Sequence, residues 1–162
     1  MTNKIHIREI QAKDNSAISD IIKSVLTEFN DAIEGTAFYD IETNAMFEAY
    51  TEYNSRYFVA LLQDEIIAGC GIKPLKDGDA AICELQKMYM KPKVRGLKIG
   101  KTLLLKSLEF AKKSGYKHCY LETFPNMETA IHLYVKNGFI QLKQPLGNTN
   151  HHACSVWMLK RL

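Results

Sequence analysis

The segment Ala81 to Gly115, AICELQKMYMKPKVRGLKIGKTLLLKSLEFAKKSG, constrains this chain more than any other. Ala81 to Met90 is apolar-rich and reads as a strand. A short basic loop with Pro92, Gly96 and Gly100 follows and opens straight into an amphipathic helix running from about Gly100 to Ser114. The first turn of a helix leaves backbone N–H groups without partners at the positive end of the helix dipole, so this strand, loop and helix form a seat for an anion such as a phosphate. Gly96 and Gly100 allow the backbone to turn tightly and come close to it, and Arg95, Lys98 and Lys101 add charge.

The distribution of charge agrees with that reading. The net charge of the whole chain is +3, too small to argue for a nucleic-acid partner. From Gln86 to Lys117, however, there are ten Lys or Arg against one acid, while Glu28 to Tyr53 holds seven acids and no Lys or Arg. An anionic ligand at the first stretch and a cationic one at the second account for this polarity; two unrelated solvated faces account for it as well. No window approaches a membrane span and the N-terminus has no hydrophobic signal core, so a cytoplasmic protein is expected. The four cysteines, Cys70, Cys83, Cys119 and Cys154, are spread widely and read as reduced, mostly buried small hydrophobes.

Around the central segment the pattern gives one α/β domain spanning residues 1–162. Ile5 to Ile10 alternates as a first strand, and Asp14 or Asn15 can cap a helix whose buried face is Ile18, Ile21, Ile22, Val25, Leu26 and Phe29. Gly35 breaks the chain before a second helix over Ile41 to Tyr53. Aromatics and acids alternate here, Glu28, Phe29 and Tyr39 among them, and either line a substrate mouth or belong to a packed helix pair. Tyr57 to Leu62 and Glu65 to Ile72 form a hairpin, Lys117 to Thr123 is a strand, and a helix begins at Asn126 or Thr129 and ends at Asn137-Gly138. Phe139 to Lys143 and Ala153 to Leu159 are the last strands. Helices between strands, with hairpins at both ends, give a mixed sheet covered by helices. An exposed edge strand leaves a homodimer open.

Two common phosphate motifs fail on the central loop. Gly100-Lys101-Thr102 imitates the end of a P-loop, but the first glycine of that motif would fall on Arg95. The dinucleotide fingerprint GxGxxG is absent. What remains is an anion loop compatible with the pyrophosphate of coenzyme A.

VRGLKIGKTLL, then GYKHCYLET, then AIHLYVKNGF resembles the GNAT acetyltransferase superfamily, and the similarity of organisation covers almost the whole chain. GTAFYD, ETNAMFEAY, CELQKMYM and LETFPNMETAIHLYVKNGF further resemble a bacterial group of small N-acetyltransferases whose substrates are mostly unassigned. The resemblance implies a mixed, mostly antiparallel sheet with a central splay, binding acetyl-CoA across the opening. The superfamily's acyl-CoA signature places Arg or Gln first, a glycine in the middle and Gly or Ala last; Arg95 and Gly100 match, and Lys98 stands at the middle glycine. The implied pyrophosphate site is Arg95, Gly96, Leu97, Lys98, Ile99, Gly100 and Lys101, with Met88, Tyr89 and Met90 along the pantetheine arm and Asn126 beside it. Tyr134 matches the tyrosine that protonates the departing thiolate, a task its phenol suits.

Glu84 is the expected base. Strict alternation puts Glu84, Gln86, Met88 and Met90 on one face of the strand and Cys83, Leu85, Lys87 and Tyr89 on the other. A carboxylate inside such a strand is costly unless it is paired, solvated or used, and the family places an acid near this point. Glu122 on the next strand is the second choice. The expected reaction is attack of a primary amine, of a small molecule or a protein, on the acetyl thioester; the acidic stretch makes that amine cationic. The loop before the last strand, with His151 and His152, forms a wall of the acceptor pocket. HHxC at positions 151 to 154 is no standard zinc pattern, so no metal is expected. The rivals are an acyl-CoA-binding module without catalysis, kept open by Lys98, and a domain for another phosphorylated ligand.

Overall fold

The computed structural model describes residues 4–162. Strands β1 (Ile5–Glu9), β2 (Arg56–Leu62), β3 (Glu65–Pro74), β4 (Ile82–Met90), β5 (His118–Thr123), β6 (Ile140–Gln141) and β7 (Val156–Arg161) form one sheet in the order β1-β2-β3-β4-β5-β7-β6. All neighbours are antiparallel except β4 and β5. That parallel pair is short: it runs from Ile82↔His118 to Glu84↔Tyr120 and then the strands part. The mixed, mostly antiparallel sheet with a central splay is therefore the one expected.

Each face of the sheet buries its own core. Helix α1 (Asn15–Glu28) lays Ile18, Ile21, Ile22, Val25 and Leu26 against Val59, Leu61 and Ile66 on one face. Helices α3 (Ile99–Lys113) and α4 (Glu128–Lys136) cover the other, where Leu103, Leu104 and Leu108 meet Ile67, Cys70 and Leu85. Each such buried aliphatic side chain contributes roughly 1.5–3 kcal/mol relative to exposure. All four cysteines are buried and free, as expected.

Three local expectations are corrected. Asp14 does not cap α1: its carboxylate, almost fully buried, takes a bidentate pair from Arg8 at 2.6 and 3.0 Å and the Gln11 N–H at 2.8 Å. The expected helix over residues 41–53 is a 3-10 turn at Ile41–Asn44 followed by one short helix, α2 (Met46–Ala49). Its apolar residues lack a sustained helical repeat, and the segment is held by side-chain bonds instead: Thr43 donates to the Ala37 carbonyl at 2.6 Å, and Asn15 accepts from the Phe47 N–H at 2.7 Å.

The third correction concerns β4, where alternation breaks at a bulge. Opposite β3, Gly69 pairs with Tyr89 but Gly71 pairs with Gln86, so Lys87 and Met88 together oppose Cys70, and Lys87 adopts φ 48°. Met88 and Met90 therefore join the α3 core with Cys83 and Leu85, whereas Tyr89 packs on the α1 side. Tyr57 makes the bulge possible. Its ring lies over Gly69 and Gly71, and its hydroxyl donates to the Lys87 carbonyl at 2.7 Å.

A Cβ on Gly71 would come within 2.5 Å of the Tyr57 ring and 2.7 Å of the Tyr50 ring, both buried. Gly71→Ala is accordingly expected to cost about 2 kcal/mol and to lower Tm by about 4–8 °C in a thermal melt.

Candidate active site

Where β4 and β5 part, a narrow cleft of about 60 Å³ opens, lined by Glu84, Met88, Tyr89, Glu122, Met127 and Tyr134 among others. A wider pocket of about 590 Å³ adjoins it, between the 40–49 segment, the end of β3 and the 149–151 loop. Glu84, Gln86, Lys87 and His151 line both, so the two spaces meet at these four residues.

Glu84 stands at that junction, 3% exposed. Its parallel partner Tyr120 shares its face, and Glu122 follows two residues on. Gln86 donates to one Glu84 oxygen at 2.8 Å and accepts from the Tyr50 hydroxyl at 2.8 Å, which fixes the amide orientation. The other Glu84 oxygen has no hydrogen-bond partner among the described residues. Burial pushes the Glu84 carboxyl up to about 7, against the Gln86 donor and the positive His151 and Lys87, and with the negative Glu122.

Glu122 is held differently. Tyr120 donates to one of its oxygens and Thr149 to the other, both at 2.6 Å, so both oxygens are engaged. Of the two carboxylates, Glu84 is the one with an oxygen that accepts no hydrogen bond among the described residues. One ligand atom each from Glu84, Glu122 and His151 lie within 4.8 Å of one another. His151 is turned by Asp40, 2.7 Å from its Nε2. Burial works against the imidazolium, but the hydrogen bond and charge of Asp40 outweigh it and raise the His151 pKa.

Tyr134 enters the cleft from α4. Its ring is buried against Phe139, and its hydroxyl has one weak contact, the Met88 sulfur at 3.7 Å. Burial raises the phenol pKa far above its ordinary value, so the hydroxyl keeps its proton. Beyond Glu84, β4 has no strand partner on the side of β5, and Met88 and Tyr89 line the cleft there.

At the basic loop, α3 begins at Ile99 and its first bond runs from the Thr102 N–H to the Lys98 carbonyl at 3.1 Å. The amides of Ile99, Gly100 and Lys101 are thus the open donors of the first turn. Gly96 has φ 83° with nothing near a notional Cβ. A Cβ on Gly100 would come within 2.8 Å of the Met90 methyl, the far end of a flexible side chain that can move aside. Leu97 is exposed, while Ile99 anchors the turn in the core.

Lys98, at the position of the signature glycine, adopts φ 62°, ψ 11°. The left-handed geometry is kept even though a side chain makes it strained. Lys98→Gly is expected to raise Tm by about 2 °C by removing that strain.

Several expected site residues lie elsewhere. The Arg95 guanidinium is committed to Glu28, at 2.6 and 2.8 Å, and rests on the Phe29 ring, so the free positive charge of the loop comes from Lys98 and Lys101. Glu28 and Phe29 tie the end of α1 to that loop and line neither pocket. Tyr39 is exposed and stacks on Phe38. His152 packs over Gly35. Asn126 donates to the Phe29 carbonyl at 2.9 Å, and its neighbour Met127 faces the cleft instead.

Three of the seven acids of the 28–53 stretch are ion-paired inside the protein, Glu28 with Arg95 and Asp40 and Glu42 at the pocket. Glu42 meets Lys87 at 2.6 Å and Lys73 at 2.8 Å, and Asp40 meets Lys87 at 3.1 Å as well as His151. The charges of Asp40 and Glu42 are therefore already engaged within the protein. Sequence reasoning missed Lys73, Asp40, Glu42 and Lys87 as pocket residues; the glycines of β3 facing the bulge were the available signal.

The model of the Acetyltransferase (GNAT) family matches residues 20–139. The chain belongs to the GNAT family of acetyltransferases. Among its GNAT relatives is the uncharacterized N-acetyltransferase YjgM of Escherichia coli K12, 37% identical over 157 residues, 96% of this chain and 94% of that one. A GNAT acetyltransferase of Staphylococcus aureus Mu50 superposes with TM-score 0.87 at 24% identity, covering 98% of this chain and 99% of the other. The PaiA N-acetyltransferase of Thermoplasma acidophilum, crystallised in complex with coenzyme A, gives TM-score 0.76 at 22% identity over 98% and 99%. These structures share the fold of this GNAT chain, a mixed, mostly antiparallel sheet flanked by helices.

Proposed function

We propose that the protein transfers an acetyl group from acetyl-CoA to a primary amine, with Glu84 as the base and Tyr134 as the acid. The observation that carries the proposal is the placement of these two side chains at one junction. Glu84 has a free oxygen and a pKa raised to about 7, and Tyr134 presents a protonated hydroxyl in the same cleft. A base poised near neutral pH and an acid that stays protonated divide the proton transfers of an acyl transfer between them.

The residues present fit the cofactor. The open amides of Ile99, Gly100 and Lys101 with the Lys98 and Lys101 charges suit a pyrophosphate, and the unpaired edge of β4 at Met88 and Tyr89 suits an extended amide-bearing arm. Bound there, acetyl-CoA supplies a thioester carbonyl as the electrophile. Glu84 takes the proton that the amine nitrogen gives up as its bond to carbon forms, and Tyr134 gives its phenolic proton to the departing sulfur. Backbone N–H groups of β4 near Met88 serve the carbonyl oxygen as it gains charge.

The test is calorimetric titration with acetyl-CoA against an ATP control, followed by thiol release across a panel of amines. Selective binding of acetyl-CoA with amine-dependent release is expected. Binding without release from any amine would support a silent acyl-CoA module instead, and no preference over ATP would overturn the cofactor assignment.

A further inference from the structure

The pocket beside Glu84 is lined by the carboxylates Asp40, Glu42, Glu48 and Glu84 and by Lys73, Lys76, Lys87 and His151. Three cationic groups converge on Asp40 and Glu42: Lys87 on both, Lys73 on Glu42 and His151 on Asp40. Lys76, exposed at the rim of the same pocket, has no ion-pair partner among the described residues. The outer acid, Glu48, already accepts from the Asn15 amide at 2.8 Å. With Asp40 and Glu42 already paired, an anionic group entering this pocket finds ammonium donors with capacity left in Lys73 and Lys76. Lys73 uses one of its three N–H groups on Glu42 and sits 4.6 Å above the Tyr50 ring, which keeps it in place.

Register gives the separation. Lys73 on β3 is directly opposite Glu84 on β4, so the two side chains leave the sheet as cross-strand neighbours, with Cβ atoms about 5 Å apart. A ligand that puts its amine at Glu84 has an ammonium wall one short span away. Ile41, 92% exposed, joins Ala45, Ala49 and Pro74 as an apolar surface of the same pocket.

Resting on the acetyltransferase reading above, we infer that the acceptor is an amine bearing a nearby carboxylate, an α-amino acid with an apolar side chain, whose carboxylate is held by Lys73 and Lys76. The amine then faces Glu84, the carboxylate faces the two lysines, and the side chain lies along Ile41. A peptide N-terminus lacks the adjacent carboxylate and is the excluded neighbour of this class.

The experiment uses the full chain with acetyl-CoA and a matched set of amines: leucine, leucinamide, 3-methylbutylamine and spermidine. Leucine is expected to exceed the other three in kcat/KM by about tenfold or more, as loss of a charge-assisted contact implies. In Lys73→Met and Lys76→Ala the ratio of leucine to leucinamide is expected to fall several-fold, through KM. Equal or better turnover of leucinamide or spermidine overturns the inference and leaves the acetyltransferase reading standing. A second arm needs no turnover: N-acetylleucine and N-acetylleucinamide are titrated into the CoA complex. Tighter binding of the free acid supports the carboxylate site even if no amine releases thiol, in which case the catalytic reading alone fails; equal binding overturns the site.

Discussion

Glu84→Gln is expected to lower kcat/KM for acetyl transfer by about 10²–10⁴-fold and, in the same protein, to raise Tm above pH 7. The two effects share one cause. The folded Glu84 carboxyl has a pKa of about 7 because it is buried, whereas in the unfolded chain it titrates near 4.3. Between these values the folded state holds a proton that the unfolded state has released, so this group's stabilising contribution is fully present below about pH 4 and is lost as pH rises through about 7. The loss is at most about 4 kcal/mol. Glutamine never ionises, and its side-chain oxygen still accepts from Gln86. The variant should therefore match wild type near pH 4 and melt a few degrees higher at pH 8. Wild-type kcat/KM should rise with pH to a plateau above about 7, and the variant's residual rate should lack that limb. A purely structural Glu84 predicts the opposite melting result, a lower Tm at every pH.

Legibility from sequence follows the range of the interactions involved. Elements set by their own periodicity could be read directly: the buried face of α1, the hairpin of β2 and β3, and the glycine turns after α3 and α4, where Gly115 and Gly138 have φ of 91° and 90°. The site depends on contacts across many residues and could be read only in part. Glu84 was accessible because a carboxylate inside an apolar strand needs a reason. The bulge at Lys87 was not, since strict alternation has no means of registering Tyr57, thirty residues away, donating to the Lys87 carbonyl. That one irregularity moves Met88 and Met90 to the α3 core and leaves Lys87 to pair with Asp40 and Glu42. The acidic stretch is legible only in part for a related reason. A count of charge along the chain cannot show that Glu28 belongs to Arg95, 67 residues on, or that Asp40 belongs to His151, 111 residues on.

Lys98 shows how a departure from a motif can be resolved by geometry. The glycine expected there is required by a backbone angle, φ 62°, and the chain adopts that angle with a lysine. The amides that follow remain open, so the substitution strains the loop without closing it.

Tyr134→Phe should reduce kcat by about 10²-fold while leaving acetyl-CoA affinity within about twofold and Tm within about 1 °C. The side chain's packing role lies in its ring, which meets Phe139 at a centroid distance of 5.7 Å and is retained by phenylalanine. Among the described residues the hydroxyl bonds only to the Met88 sulfur at 3.7 Å, a weak acceptor, so its removal leaves no strong partner unsatisfied. What is lost is a proton donor that burial keeps protonated throughout the working pH range. A structural role and a catalytic one are separated by the leaving group. If the phenol protonates the departing sulfur, the deficit should shrink with an acetyl thioester of a more acidic thiol, which leaves as the thiolate unaided. If the deficit is the same for both thioesters, the hydroxyl acts otherwise than as the proton donor, and if there is no deficit Tyr134 is a packing residue. In either case the proton for the thiolate comes from solvent through the opening between β4 and β5.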